Sequence, residues 1–150
     1  MLGFLASLIG CGFAISAARS AKTASVLAGK AVARAASIDF VAELGDVGQS
    51  ARSARELIDN DDARRAYDYL VMISVSATKL SKSDKLPDAA TMVNELELLV
   101  RLNDKVKDLV HKQIYYDEPI DTGKAVDLLQ RIELQTAATQ TRMKDKASLS

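Results

Sequence analysis

The sequence predicts an all-α protein: an N-terminal apolar, Ala-rich helix followed by an antiparallel three-helix bundle. Three observations carry this. Apolar residues make up 48% of the chain but aromatic residues only 5%, with no Trp, so the apolar mass is Ala, Leu and Val, a helix-forming palette. Only two prolines and seven glycines punctuate 150 residues, and five of those glycines precede residue 46. From Asp62 onward, apolar residues recur with the i, i+3, i+4 spacing of amphipathic helices.

The first element is set by charge. Met1 to Ala18 contains no charged side chain, and Leu2, Phe4, Leu5, Leu8, Ile9, Phe13 and Ile15 supply its bulk. As a helix this run spans about 27 Å, just short of a hydrocarbon core of roughly 30 Å. It is softened by Gly3, Gly10, Gly12, Ser7 and Ser16. Membrane insertion, constitutive or conditional, is the leading expectation, and Arg19 and Lys22 would then stay on the cytoplasmic side. Three rival readings stand beside it. A secretory signal needs positive charge before the apolar run, and here the charges follow it. Leu8-Ile9-Gly10-Cys11 has the look of a lipobox, but the preceding segment is short and uncharged. The bland reading is a buried helix of the protein's own bundle or of an oligomer.

Residues 17–37 continue as an Ala-rich helix. Ala17, Ala21, Ser25, Gly29, Ala33 and Ser37 recur every fourth position, a stripe that suits close approach of two backbones. Two thirds of the stretch is Ala, Ser, Gly or Thr, so the register also fits plain composition. Arg19, Lys22, Lys30 and Arg34 fall within an arc of about 120° on a helix. A solvated face is the bland account of that arc; lipid phosphates or a nucleic-acid backbone is the sharper one. The first acid is Asp39, so residues 1–38 carry +4 and the remainder −4. That asymmetry fits a basic arm near an anionic surface and speaks against nucleic acid as the main partner of the remainder.

Gly45-Asp46-Val47-Gly48 predicts a hinge. Ser50 is expected to cap a short helix ending at Ile58. Asp59-Asn60-Asp61-Asp62 then forms a turn and supplies an N-cap. The next helix covers Asp62 to Ser81, with Ala63, Tyr67, Leu70, Val71, Ser74 and Thr78 on its inner face. Tyr69 to Val75 is apolar enough for a strand, but its flanks favour a helix. Pro87 suits the first turn of a third helix reaching Tyr115. Its stripe is Ala89, Met92, Val93, Leu96, Leu99, Val100, Val106, Leu109 and Val110. Asn103 sits inside that stripe, where a polar residue fixes helix register or stays partly wet. Glu97–Arg101 and Asp108–Lys112 are i, i+4 pairs. Tyr115-Tyr116-Asp117-Glu118-Pro119 closes the helix. Asp121 caps a last one, with Val126, Leu129, Ile132 and Thr136 inward and a fraying tail after Ala138. The expected organisation is therefore 1–37 membrane-seeking and basic, 38–60 a Gly-containing connector with a short helix, and 61–150 the bundle.

No reaction is legible. One cysteine, Cys11, excludes an internal disulfide, and one histidine, His111, leaves no structural zinc set. Asp121-Thr122-Gly123 matches an aspartic-protease triplet, but a helix cap explains Asp121 and no second aspartate accompanies it. Gly123-Lys124 lacks the other residues of a phosphate loop. Asp59-Asn60-Asp61-Asp62 starts like a calcium loop, but Ala63 and Arg64 displace a ligand and the turn glycine. His111 has no Cys or second His to work with. No cofactor and no metal are expected.

Ile9-Gly10-Cys11-Gly12-Phe13-Ala14-Ile15-Ser16-Ala17-Ala18-Arg19-Ser20-Ala21-Lys22 resembles the start of the small internal virion (ejection) proteins of short-tailed phages. These open on a Gly/Ala/Ile-rich segment and pass into an Ala/Ser/Lys-rich helix. The resemblance is compositional and covers about the first 35 residues. It implies a membrane-associated protein carried in the virion before ejection and found in the host envelope afterwards. There it would assemble as an oligomeric channel for DNA. The partners implied are the lipid bilayer, further copies of itself, other virion proteins, and the DNA backbone without sequence specificity. A second class of function is a single-pass, membrane-tethered adaptor whose bundle binds a protein partner.

Overall fold

A computed structural model describes residues 2–83 and 89–149, with side chains for 15–83, 90–146 and 148. The described residues are helical and contain no strand: α1 Leu2–Asp59, α2 Ala63–Ser81, α3 Ala89–Tyr116 and α4 Thr122–Leu149. The chain divides into two compact units, Met1–Ala36 and Ser37–Ser150. α1 contributes to both. Pro87 lies outside the described residues.

The second unit has one hydrophobic core, and its sequence logic is a repeated spacing. Buried positions on α1 are Phe40, Leu44, Val47, Ala51, Ala54 and Ile58. On α2 they are Ala66, Leu70, Ile73, Ala77 and Leu80. On α3 they are Met92, Leu96, Leu99, Asn103, Val106 and Val110, and on α4 Ala125, Leu129, Ile132, Thr136, Thr139 and Met143, with Leu128 beside them. Every run alternates steps of four and three, the seam of side chains that interlock between neighbouring helices. The apolar members of all four runs belong to one cluster, except Ala77.

The turns are those that the acidic residues predict. Asp61 takes φ 61°. Its N–H donates to the Ile58 carbonyl at 3.1 Å, and the Asp62 N–H donates to the Leu57 carbonyl at 2.8 Å. This is a Schellman closure of α1, with an aspartate where glycine is usual. Asp62 then caps α2, accepting from the Arg65 N–H at 3.2 Å. Asp117, φ 54°, follows the end of α3. Asp121 caps α4, accepting from the Lys124 N–H at 3.0 Å. The wet pairs Glu97–Arg101 (3.3 Å) and Asp108–Lys112 (3.1 Å) both form.

Three expectations are corrected. Gly45 and Gly48 do not break the chain, and no separate short helix starts at Ser50: all lie within α1. Glycine in a helix costs about 1 kcal/mol, and packing offsets it here. A Cβ on Gly48 would stand 2.8 Å from Thr136 Oγ1, and one on Gly45 2.9 Å from Gln140 Nε2. The bare backbone lets α4 close on α1, and the Gln140 amide donates to the Val41 carbonyl at 2.8 Å.

Second, the buried face of α2 is turned from the expected one. Val71 is 40% exposed and Thr78 is exposed, while Ala66, Ile73 and Ala77 point inward. This helix is apolar on both sides, so the sequence does not single out a face.

Third, the tail does not fray at Ala138: α4 runs to Leu149. Thr136 is buried because its hydroxyl donates to carbonyls of its own helix, Ile132 (2.9 Å) and Glu133 (2.8 Å). Thr139 donates to Glu95 at 2.8 Å, and Arg142 bonds the same carboxylate.

Polar contacts across helices rim this core. Arg55 grips Glu133 with two hydrogen bonds, at 2.7 and 3.3 Å, joining α1 to α4. That hydrogen bonding, and then the carboxylate's charge, raises the guanidinium pKa above its ordinary value. Lys79 of α2 reaches Glu43 of α1 at 2.7 Å, which raises the ammonium pKa for the same two reasons.

Inside the core, Asn103 donates through Nδ2 to the Leu70 carbonyl (2.7 Å) and to Ser74 Oγ (2.8 Å). Its Oδ1 has no partner. An unpaired buried acceptor costs about 1–3 kcal/mol.

Candidate functional site

The segment singled out by charge is the Met1–Ala36 unit. It is helical because alanine loses no side-chain entropy in a helix and little else competes. Its hydroxyls turn back on their own backbone: Ser20 Oγ donates to the Ala17 carbonyl at 3.0 Å and Thr23 Oγ1 to the Arg19 carbonyl at 2.9 Å. These side chains therefore need neither water nor a neighbour to satisfy them, which lets the helix lie against apolar material.

Every residue from Ile15 to Ala35 is exposed. Among them are large apolar side chains, Ile15 (56%), Val26 (52%), Leu27 (61%) and Val32 (58%). The expected packing residues Ala17, Ala21, Ser25, Gly29 and Ala33 are all exposed as well. A Cβ on Gly29 would meet nothing within 4 Å. Among the described residues nothing covers the small stripe.

Arg19, Lys22, Lys30 and Arg34 are exposed. None of them takes part in an ion pair among the described residues, whereas Arg55, Lys79, Arg101, Lys112 and Arg142 of the second unit all do. A set of cations without ion pairs on a carboxylate-free stretch of helix attracts anions, and water screens that attraction until an anionic surface is near.

Of the expected insertion residues, Leu2, Phe4, Leu5, Leu8, Ile9 and Phe13 have side chains outside the described set, and only Ile15 is described. Among the described residues, no helix is long and apolar enough to cross a membrane.

The residues weighed for chemistry have structural roles. Asp121 is a helix cap, and Asp61 and Asp62 close α1 and open α2. His111 is half-buried in an aromatic cluster, its ring centroid 4.4 Å from Tyr115, 6.1 Å from Tyr116 and 6.4 Å from Tyr67. No group of His, Cys, Asp and Glu able to hold a metal ion occurs among the described residues.

Sequence reasoning missed one feature. Val71, Met72 and Val75 of α2 form an apolar surface on the second unit, with Val75 63% exposed. The run Tyr69–Val75, apolar but for Ser74, is its signal in the sequence, because seven such residues wrap past one helix face and must show part of their surface to something other than the core.

Comparison of the chain with protein-family models, with characterised proteins and with solved structures finds no match.

Proposed function

We propose that this is a non-enzymatic, self-associating, membrane-active helical protein. Its most specific form is a phage ejection component, part of an oligomeric channel that delivers DNA through the host envelope. The observation that carries the reading is the exposed stretch of α1 from Ile15 to Ala35. Residues 15–35 present small, apolar and basic side chains, none of them covered. They follow directly on an uncharged run, Met1–Ala18.

In this reading the uncharged run enters the bilayer, and the small faces of residues 17–37 pack helix on helix between copies. The basic faces gather into a cationic collar for lipid head groups or DNA phosphates, without sequence specificity. The protein sits in the virion before ejection, with other virion proteins as neighbours, and in the host envelope after it. The second unit serves as the folded body. We further propose that its four helical segments run antiparallel, which suits the short links at residues 60–62 and 117–121.

Light scattering in detergent tests the self-association. The full chain should measure as an oligomer, and Gly29→Leu with Ala33→Leu should lower its mass while helix content holds. A monomeric wild type, or an unchanged mass in the variant, overturns the reading.

The apolar surface at Val71, Met72 and Val75 favours a second reading, a membrane-tethered adaptor whose folded body binds a protein. Gene neighbourhood separates the two: virion genes alongside point to ejection.

A further inference from the structure

We propose that Asn103 fixes the register of α3 against α2, and that the protein gives up stability to keep it there. Among the described residues three polar side chains are buried, Asn103, Thr136 and Thr139. Thr136 bonds only carbonyls of its own helix, so it carries no information about a neighbour. Thr139 reaches Glu95 at the rim of the core. Asn103 differs from both. It is fully buried, it occupies a seam position on α3 between Leu99 and Val106, and both of its bonds cross to α2.

The amide has one workable orientation. The Leu70 carbonyl can only accept, so the Asn103 group facing it must be the NH2. Both amide hydrogens are then used, one on Leu70 and one on Ser74, which lie one turn apart on α2. Oδ1 is left buried with no partner. Lys107, one turn further along α3, points its ammonium at the same Ser74 hydroxyl at 3.4 Å. Leucine or valine at position 103 would leave no orphan, because the Leu70 carbonyl already belongs to its helix ladder. A residue that costs stability and bonds a single neighbour in a single orientation acts as a pin.

The seam needs one. Its other members on α2 and α3 are Ala, Leu, Ile, Val and Met, and apolar burial has no direction. A slide of α3 by one turn, roughly 5 Å, would exchange one apolar layer for another. The same slide parts Asn103 from at least one of its two partners, which lie one turn apart on α2, so the polar layer disfavours the slid register.

Electron–electron distance measurement on the full chain tests this, with nitroxides at Val75→Cys and Tyr116→Cys and with Cys11→Ser removing the native thiol. With Asn103 in place we expect one narrow distance. Asn103→Leu should add a second population displaced by about one helical turn, roughly 5 Å, while its urea midpoint rises. Asn103→Val, a smaller side chain, guards against a leucine that does not fit. Ser74→Ala should broaden the distribution and lower the midpoint. If both Asn103 variants keep the single narrow distance, Asn103 does not set the register. If both unfold at lower urea than wild type, it is not kept at a cost, and the proposal fails on that count.

Discussion

Gly29 and Gly48 are both helical glycines in α1, and their surroundings are opposite. Around Gly48, an added Cβ would strike Thr136 at 2.8 Å; around Gly29 it would meet nothing within 4 Å. The same contrast holds for the units that contain them. In the second unit small residues bring helices together, cations meet carboxylates, and apolar residues fall on a four-three seam. In the first unit, from Ile15 to Ala35, small residues, cations and apolar residues are all present and all exposed. Helical glycine is destabilising by about 1 kcal/mol wherever it stands. Packing offsets that at Gly48, and no contact does so at Gly29. On the proposed reading, the first unit is half of a contact whose other half is closely packed helices and anions.

The largest effect expected concerns where the folded body begins. A chain of residues 37–150 should be helical and cooperative, while one of residues 61–150 should lose its cooperative transition. The shorter chain lacks Phe40, Leu44, Val47 and Ile58. Each large buried side chain contributes about 1.5–3 kcal/mol, and four of them rival the whole stability of a domain, about 5–15 kcal/mol. Thermal unfolding followed by circular dichroism checks this. A sharp transition in 61–150 would show that α1 is dispensable to the core.

The second effect belongs to the first unit. Leu8→Arg places a charge in the middle of the uncharged run, at about 2.5–3.5 kcal/mol on insertion scales. Liposome binding should fall about a hundredfold while the unfolding midpoint of the body stays put. A midpoint that moves with binding would break the division between the units.

A third, smaller effect sets the glycines against each other. Gly48→Ala should destabilise by about 1–3 kcal/mol, since Thr136 cannot turn away without losing its bonds. Gly45→Ala should cost less, because the Gln140 amide can swing aside. Gly29→Ala should leave the body's midpoint unchanged and raise helix content slightly. Urea melts of the three, read side by side, decide the order.

The smallest effect is alkaline. The Lys79 pKa is raised by its bond to Glu43. The contribution of that pair is therefore fully present below the ordinary lysine pKa and is lost as pH rises through the raised value. Lys79→Met should lower the unfolding midpoint slightly near neutrality and leave it unchanged above the raised pKa, so this slight alkaline dependence disappears.

These effects mark what the sequence could disclose. Local chemistry was legible: the caps Asp62 and Asp121, the pairs Glu97–Arg101 and Asp108–Lys112, and the helical character of every described element. Glycines 45 and 48 look like a hinge in the sequence because the groups that require them, Gln140 and Thr136, stand about ninety residues further along. The signal against a hinge was nonetheless present, since Phe40, Leu44, Val47, Ala51, Ala54 and Ile58 keep the four-three spacing straight through both glycines. The inner face of α2 was hidden by chemistry that is apolar on both sides, so that Ala66 and Ala77 lost to the bulkier Val71. The C-terminal third of α4 looked polar, yet Thr136 satisfies its hydroxyl on its own helix and Thr139 on Glu95. The candidate segment was located entirely from charge, because an uncharged run followed by cations alone is visible without any tertiary contact.

Flotation of the full chain with anionic liposomes, beside a chain of residues 37–150, tests the central claim most directly. The account predicts that the full chain rises with the vesicles and resists alkaline extraction, while residues 37–150 remain at the bottom of the gradient. A full chain that stays at the bottom under every condition tried, including low pH, contradicts it, and so does a body that floats equally well without residues 1–36.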